Sequence, residues 1–136
     1  DIKDENINMI SDLLLKHDVK AIIISNTTDK NRENLLNINK LEKGGLSGKP
    51  LEKRSNELIN KFYKILKNKI KIIGVGGVDS GQSAYQKIIN GASLVQLYTG
   101  MIYQGPNIAS KISEELINIL DKERVKNISD IVGSKN

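Results

Sequence analysis

The chain reads as a parallel α/β fold. Three short apolar runs of strand length alternate with stretches of helical periodicity, and each run ends in small or polar residues. Strands separated by helices pair in parallel through right-handed crossovers. Two architectures share that order, an open doubly wound sheet and a (β/α) barrel. Three strands cannot close a barrel. A three-stranded parallel sheet also leaves two open edges and a large apolar face. The chain is therefore expected to be a piece of a larger polypeptide or to need a partner. It opens on a helix with no strand before it, which favours the piece.

The elements follow in order. Residues 4–17, "DENINMISDLLLKH", carry Ile7, Ile10, Leu13 and Leu14 at helical spacing, with Asp4 as the expected N-cap. Residues 20–25, "KAIIIS", are a continuous apolar run that suits a strand buried on both faces. A long polar segment follows, "NTTDKNRENLLNINKLEKGGLSGKP", and a loop of such length in a folded domain is usually functional or disordered. Periodicity resumes over 52–67 with Leu58, Ile59, Phe62, Ile65 and Leu66. Residues 70–75, "IKIIGV", form the second strand. Residues 80–90 read as a helix capped by Asp79 or Ser80 and stopped by Gly91. Residues 93–98, "SLVQLY", form the third strand. A helix over 107–122 places Ile108, Ile112, Leu116, Ile119 and Leu120 on one stripe, and a short helix is expected near 128–132.

Composition narrows the chemistry. The 136 residues are 38% hydrophobic, enough for one modest domain. No cysteine is present, which excludes disulfides, thiolate metal sites and a cysteine nucleophile. The single histidine, His17, lies at the polar end of the first helix and is expected to be solvent-exposed. No metal-ligand cluster and no Ser/His/Asp arrangement stands out, so no metal and no catalytic residue is assigned. No apolar run reaches the roughly 18 residues a membrane span needs, and no signal peptide is visible. The net charge is +5, densest over "NKFYKILKNKIK". No arginine interleaves with these lysines, so they read as the solvated face of an amphipathic helix and not as a nucleic-acid surface.

The strand ends carry the functional signal, because ligands of parallel α/β folds sit at the carboxyl ends of strands. Those ends read "SNTT" (25–28), "GVGG" (74–77) and "QLYTG" (96–100). Glycine lets the backbone approach a phosphate closely, and glycine-rich turns direct successive N–H groups at an anion. A helix starting just after the turn would add its positive end. "GVGG" and "YTG" together therefore read as a two-strand phosphate grip. The dinucleotide motif GxGxxG is not satisfied, because Asp79 stands where its last glycine would fall. "GGLSGKP" (44–50) reads as a loop lying against a ligand, or else as a flexible solvent loop. Asn26, Thr27 and Thr28 offer donors and acceptors suited to a planar polar substrate, or else simple turn chemistry.

"SNTT", "GGLSGKPL" and "IIGVGGVDSGQSAYQKIINGASLVQLYTGMIYQGP", in this order and spacing, resemble the C-terminal part of dihydroorotate dehydrogenase, the FMN enzyme of pyrimidine synthesis. "GLSGKPL" and "GASLVQLYTG…YQGP" resemble its membrane-associated, quinone-reducing class. The likeness runs from about Ile7 to Ile119. It implies that the chain is the last three βα units of a (β/α)8 TIM barrel. It implies that Gly76, Gly77 and the Tyr98–Thr99 backbone hold the FMN phosphate, with Gly48 nearby and Ser25 beside the flavin. Asn26 and Thr27 would hydrogen-bond the ring and carboxylate of dihydroorotate. The family oxidises dihydroorotate to orotate and passes the electrons to a quinone, with peripheral association of the full-length protein at the inner membrane. Its catalytic serine base, a flavin-contacting lysine and the quinone-tunnel helices would lie outside this chain, which alone is expected to be inactive and to aggregate or dimerise weakly. Two other readings remain: a non-catalytic phosphate-binding half-barrel that pairs with a partner, and another FMN or sugar-phosphate barrel.

Overall fold

The computed structural model describes residues 1–30 and 32–136, so that Asn31 of the long polar segment lies outside the described residues. Strands β1 (Ala21–Ile24), β2 (Lys71–Val75) and β3 (Leu94–Gln96) pair in parallel in the order β1-β2-β3. Ile23 stands opposite Ile73, and Ile73 opposite Leu94. The helices are α1 (Ile7–Lys16), α2 (Glu52–Leu66), α3 (Gly81–Ile89), α4 (Thr99–Gln104) and α5 (Ile108–Lys122). The 128–132 segment is a 3-10 turn over Ile128–Ile131.

Successive side chains of a strand alternate between faces. Ile24 and Ile72 are fully buried and pack with Leu58, Ile59, Phe62 and Leu66 of α2 and Ile7 of α1. A second cluster joins Val78, Ala84, Ile108 and Ile112, with Val95 against it, and locks α3 and α5 beside β3. Emptying the Phe62 site by Phe62→Ala costs about 3–5 kcal/mol in a core of this kind.

The opposite face departs from expectation. The strands read as buried on both sides, yet Ile23 is 56% exposed and Leu94 62% exposed. The sheet-contacting helices α2 and α3 lie on the Ile24–Gly74–Val95 side. In a closed barrel the other face is filled by side chains from the remaining strands. A continuous apolar strand here therefore signals an interior that three strands cannot complete.

Asp4 is not the N-cap of the first helix. A 3-10 turn over Asp4–Asn6 precedes α1, whose N-cap Asn6 makes no side-chain capping bond. The Asp4 carboxylate instead accepts from Lys61 and from Arg54, the latter at 2.8 Å. Those two cations hold its carboxyl below the usual carboxylate range. Long-range charge pairing has displaced local capping. Ser80, by contrast, caps α3 in a reciprocal box with Ser83. β3 ends earlier than expected, and the chain turns into α4 at Thr99.

Candidate functional site

The carboxyl ends of the strands open into one cavity of about 630 Å³. Ser25, Asn26, Thr27, Gly48, Gly76, Gly77, Tyr98 and Thr99 all line it. These eight residues thus meet in one place, although they are spread from position 25 to position 99, whereas Thr28, Gly44, Gly45 and Gly74 lie outside the lining.

The glycine turn after β2 has a definite geometric requirement. Gly77 adopts φ +75°, and a Cβ there would stand 2.5 Å from Cβ and 2.8 Å from Cα of Glu52. The turn is pressed against the first residue of α2, and only a residue without a side chain fits. The backbone N–H groups of Gly76, Gly77 and Thr99 have no protein acceptor among the described residues. They are donors at a cavity wall, the arrangement an anion needs.

The loop 44–48 is fastened over this turn. Leu46 and Thr28 exchange backbone hydrogen bonds of 2.7 and 3.1 Å. The Thr99 hydroxyl donates to Ser47 Oγ at 2.9 Å, so that the loop bridges from β1 to the start of α4. Gly45 passes so close to Thr27 that a Cβ would stand 2.0 Å from Thr27 Oγ1. The Arg32 guanidinium ties the outer part of the segment, donating to the carbonyls of Lys40, Glu42 and Gly44. The "GGLSG" stretch is a positioned wall and not a free solvent loop.

On the β1 side, Ser25 donates its backbone N–H to Val75 O at 3.2 Å, and the Ile24–Ser25 peptide is cis. Asn26 Oδ1 accepts the Thr27 N–H at 2.8 Å. That bond is turn chemistry, and it leaves the Asn26 amide NH2 directed by a fixed carbonyl. Of the two readings of "SNTT", this bond shows the turn chemistry.

Charges at the rim neutralise one another. Lys49 pairs with Glu52 at 2.7 Å and with Asp79 at 3.3 Å. The hydrogen bond that the ammonium donates to Glu52, supported by Asp79, holds it above its usual range against partial burial. Burial pushes the Asp79 carboxyl up, but Lys49 and the Ser83 and Ser80 hydroxyls more than offset it, and the group stays below the ordinary range. The N-terminus of α3 is also closed. Ser80 Oγ accepts from the Ser83 N–H, and Glu115 accepts from the Gly81 N–H at 2.5 Å. The positive helix end expected just after the "GVGG" turn is occupied by the chain's own acceptors.

Other groups at the cavity were not expected. Leu51, Tyr103 and Gln104 also line it, beside Ser47 and Lys49 of the expected glycine loop. Tyr103 and Gln104 arrive through α4, which is too short for periodicity to reveal. Beneath the turn, the fully buried Lys87 donates to Ser55 Oγ at 3.0 Å, and Ser55 donates to Val75 O at 2.6 Å. Nothing in "YQKIIN" distinguishes that lysine from a surface one. Among the described residues no group of three His, Cys, Asp or Glu is placed to hold a metal ion.

Parallel strands, crossover helices, a bare inner face and a cavity at the strand carboxyl ends define a partial (β/α) barrel, with the cavity at the end where such barrels bind ligands. The family model described as dihydroorotate dehydrogenase matches residues 1–120. A dihydroorotate dehydrogenase (quinone) of Trichodesmium erythraeum is 42% identical over 146 residues, covering 100% of this chain and 38% of the relative. That of Haemophilus ducreyi is 47% identical over 118 residues, covering 86% of this chain and 35% of the relative. Ligand-free DHODH from Eimeria tenella superposes with a TM-score of 0.96 at 38% identity, covering 100% of this chain and 38% of that one. A second Eimeria tenella structure, in complex with ferulenol, gives 0.95. The chain belongs to the dihydroorotate dehydrogenase family, within which its curated relatives are quinone-dependent oxidoreductases. It spans little more than a third of their length, 38% and 35% in the two cases above.

Proposed function

We propose that this chain supplies the phosphate grip and part of the substrate pocket of a quinone-dependent dihydroorotate dehydrogenase, which oxidises dihydroorotate to orotate in pyrimidine synthesis. One observation carries the reading. The glycine turn at 76–77, the Gly48 loop, the Tyr98–Thr99 turn and the Ser25–Thr27 segment all face one cavity, and the turn's amides are free of protein acceptors. A cradle that a Cβ would fill, with unpartnered N–H groups, fits a terminal phosphate.

The cofactor implied by the family is FMN. Gly76, Gly77 and the Tyr98–Thr99 backbone would hold its phosphate, with Gly48 alongside and Ser25 beside the ring. Bound there, FMN supplies the hydride acceptor that no side chain can provide. Asn26 and Thr27 orient the pyrimidine by hydrogen bonds, and the loop 44–48 excludes water from between the two ligands. Among the described residues the one carboxylate that lines the cavity is the ion-paired Asp79. The family resemblance implies that proton abstraction is carried by a serine outside this chain. The family likeness implies quinone reduction and peripheral membrane association for the full-length protein; no helix among the described residues is long and apolar enough to cross a membrane.

The test uses full-length protein carrying this chain. Flavin absorbance after purification, orotate binding, and dihydroorotate oxidation with a soluble quinone are the expected results. Retention of FMN without any affinity for orotate would point to a different FMN barrel. Absence of flavin affinity would overturn the reading altogether.

A further inference from the structure

Lys87 has no role in the site described above, yet its position is unusual. It lies on α3 and is fully buried. Its stem passes directly under β2, where a Cβ on Gly74 would stand 3.0 Å from Lys87 Cδ. Its Nζ donates to Ser55 Oγ at 3.0 Å and to Asn56 Oδ1 at 3.0 Å, both on α2. Both acceptors are neutral. No carboxylate forms an ion pair with it among the described residues, and Glu52 acts on it only through space. An ammonium held away from water by neutral acceptors is strongly unfavourable unless something else nearby gains from it.

The hydrogen bonds show what gains. Ser55 accepts from the ammonium and donates to Val75 O at 2.6 Å. A hydroxyl that accepts from a cation becomes a stronger donor. The Val75 carbonyl is then held from two sides, by Ser55 and by the Ser25 N–H at 3.2 Å. In a trans peptide the C=O and the next N–H point in opposite directions. Fixing the Val75 carbonyl therefore fixes the Gly76 N–H, one of the free donors at the cavity.

We propose that Lys87 is a positioning residue for the cofactor's terminal phosphate. Through Ser55 it sets the Val75–Gly76 peptide, and its buried charge makes the glycine turn prefer a phosphate dianion over an uncharged ligand. The inference rests on the reading that this cavity takes FMN, and it adds the group that supplies the turn's net positive charge. Lys49 cannot fill that role, because two carboxylates already neutralise it.

The test compares FMN with riboflavin, which lacks the phosphate, on flavin-stripped full-length protein by fluorescence titration. Lys87→Gln keeps a donor toward Ser55 and removes the charge. Lys87→Met removes both. Lys87→Gln is expected to weaken FMN about tenfold or more while moving riboflavin by less than about twofold. Lys87→Met is expected to weaken FMN further. Equal losses for both ligands, or no loss in Lys87→Gln, would overturn the proposal and leave Lys87 a purely structural residue. If Lys87→Met does not fold, Lys87→Gln still decides. Failure of the wild-type protein to bind FMN would instead defeat the functional reading on which the proposal stands.

Discussion

Gly77→Ala is the sharpest probe of the grip. Two separable penalties act on it. At φ +75° an L-residue is in left-handed territory, which costs about 1–2 kcal/mol. The new methyl would also stand 2.5 Å from Glu52 Cβ, 2.8 Å from its Cα and 3.0 Å from its N. Two of those atoms are backbone at the start of α2 and cannot rotate away. Overpacking of this kind costs about 1–3 kcal/mol more. The sum is about 2–5 kcal/mol, and part of it is relieved by moving the turn, which misaligns the Gly76 and Gly77 amides. Gly105→Ala is the control, since Gly105 has φ +82° and nothing within 4 Å of its ideal Cβ. It should show the conformational penalty alone. Urea unfolding of full-length protein should place Gly77→Ala about 1–3 kcal/mol below Gly105→Ala, and flavin titration should show at least a tenfold loss of FMN affinity only in the former. Equal destabilisation in the two variants, with FMN affinity unchanged, would refute the claim that the turn is seated against α2 to present its amides.

The remaining expectations are narrower. Thr99→Val removes the hydroxyl that donates to Ser47 and should destabilise by about 0.5–1.5 kcal/mol, with faster FMN dissociation in stopped-flow exchange; an unchanged off-rate would show that the loop is not held through that bond. Asn26→Ala should weaken orotate binding about tenfold in calorimetry while leaving FMN affinity intact, and parallel loss of both would move Asn26 from the substrate to the cofactor. Burial pushes Lys87 down to about 8, so from about pH 8 to 10.5 the folded state releases its proton before the unfolded chain does, and stability gains about 1 kcal/mol per pH unit there relative to Lys87→Met, with only Glu52 opposing the shift. A flat difference between the two proteins across that window would sink this assignment. The isolated chain should self-associate in sedimentation through the face that carries Ile23 and Leu94; a monomer that unfolds cooperatively would count against it.

Much of the fold was legible because its signals are local. Strand runs, helical stripes and the Ser80 cap depend on residues within a turn or two of one another. The corrections fall where distant groups competed. Asp4 reads as a cap from its neighbours, but Arg54 and Lys61 claim its carboxylate from α2. α4 is six residues long, shorter than two turns, and carries no periodic stripe. The bare face of a three-stranded sheet was expected; the strands nonetheless read as buried on both sides because an apolar run shows how much burial it needs and not whether the partner is present. Within the site, glycines and hydroxyls were visible because their spacing is unusual. Lys87 and Ser55 were not, because a lysine in a helix reads as solvated until the fold places a strand over it.

The cavity also explains why glycine, and not lysine or arginine, dominates the strand ends. Among the described residues the one cation lining the cavity, Lys49, is matched by Glu52 and Asp79. The N-terminus of α3 is filled by Ser80 and Glu115. What remains for an anion is a set of main-chain N–H groups, which carry partial charges and stay fixed once the turn is fixed. Such donors need no reorganisation when a ligand arrives, whereas a flexible lysine must be immobilised. On the proposed reading they would hold a phosphate without attracting every anion in solution, because the charge of Lys87 is buried and connects to the turn through Ser55 and the Val75 peptide. On that reading, selectivity for a phosphate monoester over a bare carboxylate would rest on the number of amides the turn can aim at once, which the two glycines at 76 and 77 set.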